Sequence, residues 1–281
     1  MRERTLMVAA ALSAPAAVRI FQGWVVSALA AGAAFATTGD IVASFPAPQN
    51  YPIALAVSAG SPQYLWVYCN TGPYRIWQLN AATGAVISSY ASPWTSRTRG
   101  LSYSYGGGGG LPQGEYLWVG DFSTDYIYRC NPSNGSVYAS FPANHDMHGG
   151  LAVMATGDGG YAPTYLWSTD NSPAYTWRQS LTSGSIYGSF ATPGCYDIAW
   201  DWRWDYVWHR EGTAIYGRRT SGSIMCSFAF PYGPALGFAY SSHYLWLGST
   251  TDYHRIYKVH CPGWVPPVRP SSVGRVKAIF R

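Results

Sequence analysis

Charge is what this chain has least of. Only 11% of its 281 residues are Asp, Glu, Lys or Arg, against about a quarter in an ordinary globular protein. Glutamate is nearly missing, with Glu3, Glu115 and Glu211 alone. Scarce charge beside 48% hydrophobic and 16% aromatic residues excludes a disordered chain, which is charge-rich and aromatic-poor. Cys69, Cys130, Cys195, Cys226 and Cys261 contain no CxxC pair, which argues against a structural zinc module. Their odd number leaves at least one thiol without an internal partner. No apolar run reaches the roughly 20 residues that span a bilayer. With 31 Gly and 19 Pro, long helices are excluded beyond the N-terminus, and short strands with tight turns are favoured.

The net charge of +5 is carried by the ends. The body from Thr37 to Trp264 holds 11 basic and 12 acidic residues. A nucleic-acid binder needs clustered basic charge to displace counterions, so nucleic acid is set aside as a partner.

Arg2 and Arg4 precede the apolar stretch Leu6 to Leu12, and Arg19 precedes a second one, Gly23 to Ala36. The second ends Ala34-Phe35-Ala36 and turns polar at Thr37. A basic start, an apolar middle and a small-residue A-x-A site are the parts of an export signal. Residues 1–36 are therefore read as a signal peptide, with a start near Val18 as an alternative. The mature chain would begin near Thr37, without a membrane span, and be secreted, periplasmic or on the cell surface.

Four short patterns then recur five times each. Gly-x-(Ile/Val)-x-x-Ser-(Phe/Tyr) starts at Gly39, Gly84, Gly135, Gly184 and Gly222. Tyr-(Leu/Val)-Trp places Trp66, Trp118, Trp167, Trp208 and Trp246. An aromatic follows a short turn at Trp77, Tyr128, Trp177, Tyr216 and Tyr257, and a small or apolar run begins at Ala54, Gly100, Gly150, Asp197 and Gly237. In chain order these are strands A (small), B (Tyr-Leu-Trp), C (aromatic) and D (Gly to Ser-Phe). Units of 40–50 residues with four strands are the signature of β-propeller blades. The chain opens on a lone D strand and closes on A, B and C alone. Gly39 to Phe45 should therefore pair with the C strand near Arg255 to Val259 and complete a fifth blade, covering an open edge. The expected fold is all-β: a five-bladed propeller of four-stranded antiparallel blades over 37–264. A Pro-rich linker and short basic tail follow over 265–281.

The phrases Tyr116-Leu117-Trp118-Val119-Gly120-Asp121 and Asn134-Gly135-Ser136-Val137-Tyr138-Ala139-Ser140-Phe141 resemble a broad bacterial group of NHL-like, YVTN-like, streptogramin-lyase-like and gluconolactonase-like propellers. The resemblance covers the body and implies fold, because its motifs are mostly core positions. Enzymes of that group imply one divalent metal in the axial channel, held by Glu, Asn and Asp or by His and Glu. Neither pattern matches residue by residue, so no catalytic residue and no cofactor is carried over.

The remaining chemistry lies in loops. Asp201-Trp202-Arg203-Trp204-Asp205 reads as the A–B turn of the fourth blade rather than a metal loop. Five consecutive glycines, Gly106 to Gly110, have neither the helix nor the Lys that a phosphate cradle needs. In a four-stranded antiparallel blade the D–A and B–C loops share one face. That face collects Asp121, Asp170 and Glu211 after the B strands, and Arg97, Arg99, His145, Asp146, His148, Tyr196 and Asp197 from the D–A segments. Convergent polar groups at a channel mouth make it the candidate ligand face, with turn capping as the competing role. Aromatics outside the blade motifs, among them Tyr103, Trp200, Trp202 and Trp204, suit carbohydrate or an extracellular protein partner. The sequence favours a non-catalytic binding or scaffolding module. The alternatives are a metal-dependent hydrolase or lyase with its site at the channel mouth, and a subunit of an extracellular assembly.

Overall fold

The computed structural model describes residues 39–92, 98–107, 110–156, 162–171 and 174–261. The expected export segment and basic tail lie outside the described residues. Twenty strands, and no helix among the described residues, form five four-stranded antiparallel sheets. The first blade is β2 (Pro52–Val57), β3 (Tyr64–Cys69), β4 (Arg75–Asn80) and β5 (Val86–Ala91). The second is β6 (Thr98–Tyr105), β7 (Glu115–Asp121), β8 (Tyr126–Cys130) and β9 (Val137–Pro142). The third is β10 (Leu151–Thr156), β11 (Ala162–Asn171), β12 (Ala174–Gln179) and β13 (Ile186–Ala191). The fourth is β14 (Ile198–Asp201), β15 (Tyr206–Glu211), β16 (Ala214–Arg219) and β17 (Ile224–Ala229). The fifth takes β18 (Ala235–Ser241), β19 (Tyr244–Ser249) and β20 (Arg255–His260) from one end of the chain and β1 (Ile41–Pro46) from the other.

The ring closes as the strand order requires. β1 pairs antiparallel with β20, from Ile41 opposite Val259 to Pro46 opposite Arg255. The innermost strands touch in sequence, β2 to β6 to β10 to β14 to β18 and back to β2. This is a five-bladed β-propeller.

Each recurring motif has one mechanical task. The five B-strand tryptophans are at most 2% exposed, and each packs into the seam with the following blade. Trp66 lies with Leu101 and Leu117, Trp118 with Leu151 and Leu166, and Trp167 with Ile198 and Val207. Trp208 lies with Phe238 and Leu245, and Trp246 with Leu55 and Leu65. Five seams thus carry five apolar clusters. All five C–D ladders shift register, at Ile41/Ala43, Gln78/Leu79, Arg129/Cys130, Arg178/Gln179 and Gly217/Arg218. A bulge of this kind raises local twist, as an outer blade strand requires.

The D-strand motif pairs a glycine with an aromatic because the two meet across blades. Its five glycines have φ between +67° and +93°, where an L-residue with a Cβ is strained. A Cβ on Gly84 would lie 2.4 Å from Phe45 Cγ, and one on Gly135 2.4 Å from Tyr90 Cε2. One on Gly184 would lie 3.0 Å from Phe141 Cδ2, on Gly222 3.1 Å from Phe190 Cβ, and on Gly39 2.9 Å from Phe228 Cδ2. In every case the aromatic ends strand D of the preceding blade. The cycle passes through all five seams, including the one closed by β1.

All five cysteines are free thiols. Burial pushes the Cys69 and Cys130 thiols up to about 12 and Cys226 up to about 11. These thiols stay protonated and act as small core side chains.

Candidate functional site

The channel is lined by strand-A residues of all five blades, among them Leu55, Leu101, Leu151, Ile198 and Phe238, around a cavity of about 50 Å³. That is room for little more than water. Its lining contains no carboxylate or imidazole, the side chains that ordinarily hold a divalent cation. Among the described residues no three His, Cys, Asp or Glu side chains are grouped to hold a metal. Nor is any helix among them long and apolar enough to cross a membrane.

On the D–A and B–C face, the residues singled out from sequence fall into separate local clusters. Asp197 is wholly buried where Ala54, Gly100, Gly150 and Gly237 stand in the other blades. Its Oδ1 accepts Ile198 N–H at 2.9 Å and its Oδ2 accepts Phe238 N–H at 2.6 Å. Leu151 N–H is a third donor. One carboxylate thereby joins the inner strands of the third, fourth and fifth blades. Gly150 leaves room for it, since a Cβ there would lie 1.8 Å from Asp197 Oδ1. Burial pushes the Asp197 carboxyl well up, against the pull of its three N–H donors.

Asp121 is also buried. Its Oδ1 accepts Ser123 N–H at 3.0 Å and its Oδ2 accepts the Thr124 hydroxyl at 2.8 Å, which shapes the β7–β8 turn. Ser249 does the same in the fifth blade, where its Oγ accepts Thr251 and Asp252 N–H. Asp170, at the same register in β11, is 2% exposed. Glu211 is ion-paired to Arg218, whose Nε donates to His209 Nε2 at 2.7 Å. Burial and the adjacent Arg218 guanidinium hold His209 down to about 3, so its ring is neutral.

His145 Nε2 lies 2.7 Å from Ser168 Oγ, and its ring stacks on Trp177. Burial lowers its pKa. His148 and Arg99 flank the Phe122 ring, with centroid distances of 4.5 Å and 5.3 Å. Tyr196 lies under Arg210 at 4.7 Å. Asp146 is exposed, and Arg97 lies outside the described residues. Asp121 and Asp197 therefore have structural partners, while Arg99, His145, Asp146, His148 and Tyr196 reach the surface as distinct pairs rather than one constellation.

The opposite face is different. The C-terminal ends of the A strands carry Tyr103, Tyr105, Trp200 and Tyr240, and the A–B turn of the fourth blade carries Trp202, around a cavity of about 60 Å³, with Ser104 and Ser241 beside them. Tyr103 stacks flat on Trp66 (5.0 Å, 9°) and donates its hydroxyl to Glu115 Oε1 at 2.9 Å. Trp202 lies under the Arg203 guanidinium at 5.2 Å. Tyr105 and Trp204 are 42% and 41% exposed. The Asp201–Asp205 turn holds two of these indoles. Asp201 Oδ1 accepts Arg203 N–H at 3.0 Å, and its Oδ2 accepts Trp208 Nε1–H at 3.2 Å. Asp201 therefore closes the turn. Sequence reasoning singles out Tyr103, Trp200, Trp202 and Trp204 without placing them together. The missed signal is positional: the residue after the one facing each B-strand tryptophan is Val57, Tyr103, Val153, Trp200 or Tyr240.

No protein-family model matches the sequence, and no curated protein matches it. Similarity appears in solved structures. The crystal structure of Myxococcus xanthus glutaminyl cyclase superposes with a TM-score of 0.58 at 9% identity, over 79% of this chain and 95% of that one. The Myceliophteria thermophila Cps50 (Swd1) β-propeller domain gives 0.47 at 9% identity, over 80% and 100% of the two chains. A chain of the mitotic checkpoint complex gives 0.46 at 13%, over 91% and 100%. At such identities the likeness is one of fold.

Proposed function

We propose that this chain is a non-catalytic carbohydrate-binding propeller that works outside the cell, with its contact surface at the aromatic mouth formed by the A–B turns. The observation that carries the reading is the surface formed by Tyr103, Tyr105 and Trp202 around the buried Trp200 and Tyr240 rings, an aromatic rim on which a sugar would lie rather than a cavity that would enclose it. Aromatic faces pack against sugar C–H groups, and their polar rims hydrogen-bond to sugar hydroxyls. The export-type N-terminus supports an extracellular site of action. The test is a glycan-array screen followed by calorimetry on the best binder. Trp202→Ala is expected to weaken binding at least tenfold, as loss of a central aromatic contact does. Asp121→Ala with Asp170→Ala, on the other face, should leave binding intact. An array without binders, or a binder lost only in the aspartate pair, overturns the proposal.

A second reading, a subunit of an extracellular assembly, is favoured by the outer strands. Val86, Ile87, Val137, Tyr138, Ile186, Tyr187 and Ile224 are all exposed near the start of a D strand. Exposed apolar side chains on an edge strand are a template for association. Sedimentation of the wild type against Ile87→Lys with Tyr187→Lys separates the readings, because only an assembly contact makes the wild type the larger species.

A further inference from the structure

We infer that the groove between the fifth and first blades is a subsite for the carboxylate of an acidic sugar, with Lys258 as its countercharge. The inference rests on the carbohydrate reading above and adds the class of saccharide. The groove measures about 450 Å³, and Ser61, Gln63, Asn80, Ser242, Tyr244 and Lys258 line it. That is within the range of small-molecule sites. It continues from the aromatic mouth: Ala59 and Ser241 border the mouth, and the next residues, Gly60 and Ser242, border the groove.

Lys258 is the reason to expect an anion. Its Nζ lies 4.0 Å from the centroid of the Tyr244 ring and 5.2 Å from that of Trp246. The ammonium is thus held between two π faces rather than extended into water. Among the described residues the ion pair between charged side chains is Arg218 with Glu211 in the fourth blade, and Lys258 has none. A partly dehydrated cation without a carboxylate has most to gain from an incoming anion. Burial also lowers the Lys258 pKa. Arg203 is a second cation nearby, where its guanidinium meets the His243 ring; burial and then Arg203 lower the His243 pKa, so that ring is neutral. Asp40, beside this cluster, holds His260 N–H through its main-chain carbonyl at 2.8 Å.

Lys258 is the one charged side chain in the lining of the groove, which matches a monoanion. A hexuronate carries one charge, whereas a phosphate monoester carries about −1.5 to −2. Ser61 and Ser242 supply hydroxyls of the kind that bind ring hydroxyls, while Gln63 Nε2 donates to Ser58 O and Ser241 Oγ and Asn80 Oδ1 accepts Ala82 and Thr83 N–H.

The test is an NMR titration of the whole chain with glucuronate and, separately, with glucose. Glucuronate should shift the amides of Ser61, Gln63, Asn80 and Ser242 saturably, and glucose should not. Lys258→Met keeps the stem over Tyr244 and Trp246 and removes the charge, and should weaken glucuronate binding at least tenfold. Lys258→Gln serves if the Met variant fails to fold, and Lys258→Arg should retain binding. Ile87→Lys, on an outer strand away from mouth and groove, should leave the glucuronate response unchanged, and an array without binders beside a saturable groove response would overturn the mouth alone, so the two failures are read separately. Groove amides silent to glucuronate, an equal response to glucose, or affinity unchanged in both Met and Gln variants overturns the inference. Tighter binding of glucose 6-sulfate than of glucuronate overturns the choice of a carboxylate.

Discussion

Replacing Gly84 by Ala tests the seam mechanism directly. The residue has φ +74°, and a non-glycine residue in that region costs about 1–2 kcal/mol. The added methyl also lies 2.4 Å from Phe45 Cγ and 2.6 Å from Cδ2. Phe45 is in the strand that closes the ring and packs into the cluster with Trp246 and Leu55, so it cannot withdraw freely. Overpacking of this kind costs a further ~1–3 kcal/mol. The expected destabilisation of Gly84→Ala is therefore about 2–5 kcal/mol, read from the urea midpoint at constant slope. Two other glycines separate its parts. Gly212 has φ +60° and nothing within 4 Å of where a methyl would stand, so Gly212→Ala should show the backbone cost alone. Gly60 has neither feature and should be close to neutral. A double-mutant cycle with Phe45→Ala, which removes the ring, should then recover about 1–3 kcal/mol of coupling. If Gly84→Ala is no worse than Gly212→Ala, or if the cycle is additive, the contact between glycine and aromatic does not hold the blades in register.

Buried titratable groups give two further tests. His209 is held down to about 3 in the fold, so below its unfolded value the unfolded chain takes up a proton that the folded one refuses. Stability is therefore present above about pH 6.5 and falls with acidity, by about 2 kcal/mol between pH 7 and pH 5. His209→Gln keeps an acceptor for Arg218 and should flatten that slope in urea melts, whereas an unchanged slope refutes a neutral buried imidazole. Asp197→Ala strands the N–H groups of Ile198 and Phe238, and that of Leu151 with them. At roughly 1–3 kcal/mol for each buried unpaired donor, the loss should be at least ~3 kcal/mol. A loss below about 1 kcal/mol would mean that water takes the place of the carboxylate.

What the sequence could reveal depended on repetition. Trp66, Trp118, Trp167, Trp208 and Trp246 do the same work five times, and so do the glycines from Gly39 to Gly222. Blade number, strand order and closure by β1 could therefore be read from spacing alone. A ligand site on such a ring has no repeat to announce it. It appears as variation at a position the fold holds constant, as when Val57 and Val153 give way to Tyr103, Trp200 and Tyr240 at one register of the A strands, of which Tyr103 reaches the surface. That register becomes visible only once each A strand is aligned on the tryptophan it faces.

The polar residues after the B strands lead the other way. Asp121 in one blade and Ser249 in another both accept backbone N–H groups of the following turn. When different residue types perform the same local task at the same register, the position serves the turn. Asp197 departs from the small residues at its register, but it turns inward and its carboxylate is used up by three strands. Departure from the repeat marks a functional residue only where the side chain reaches solvent. Trp202 and Tyr105 at the mouth meet that condition, whereas Lys258 over Tyr244 repeats the placement of Arg129 over Tyr116 and Arg178 over Tyr165 and is set apart by the groove it lines. Saccharide contact is therefore sought on the A–B face, although the other face holds more of the body's carboxylates and histidines.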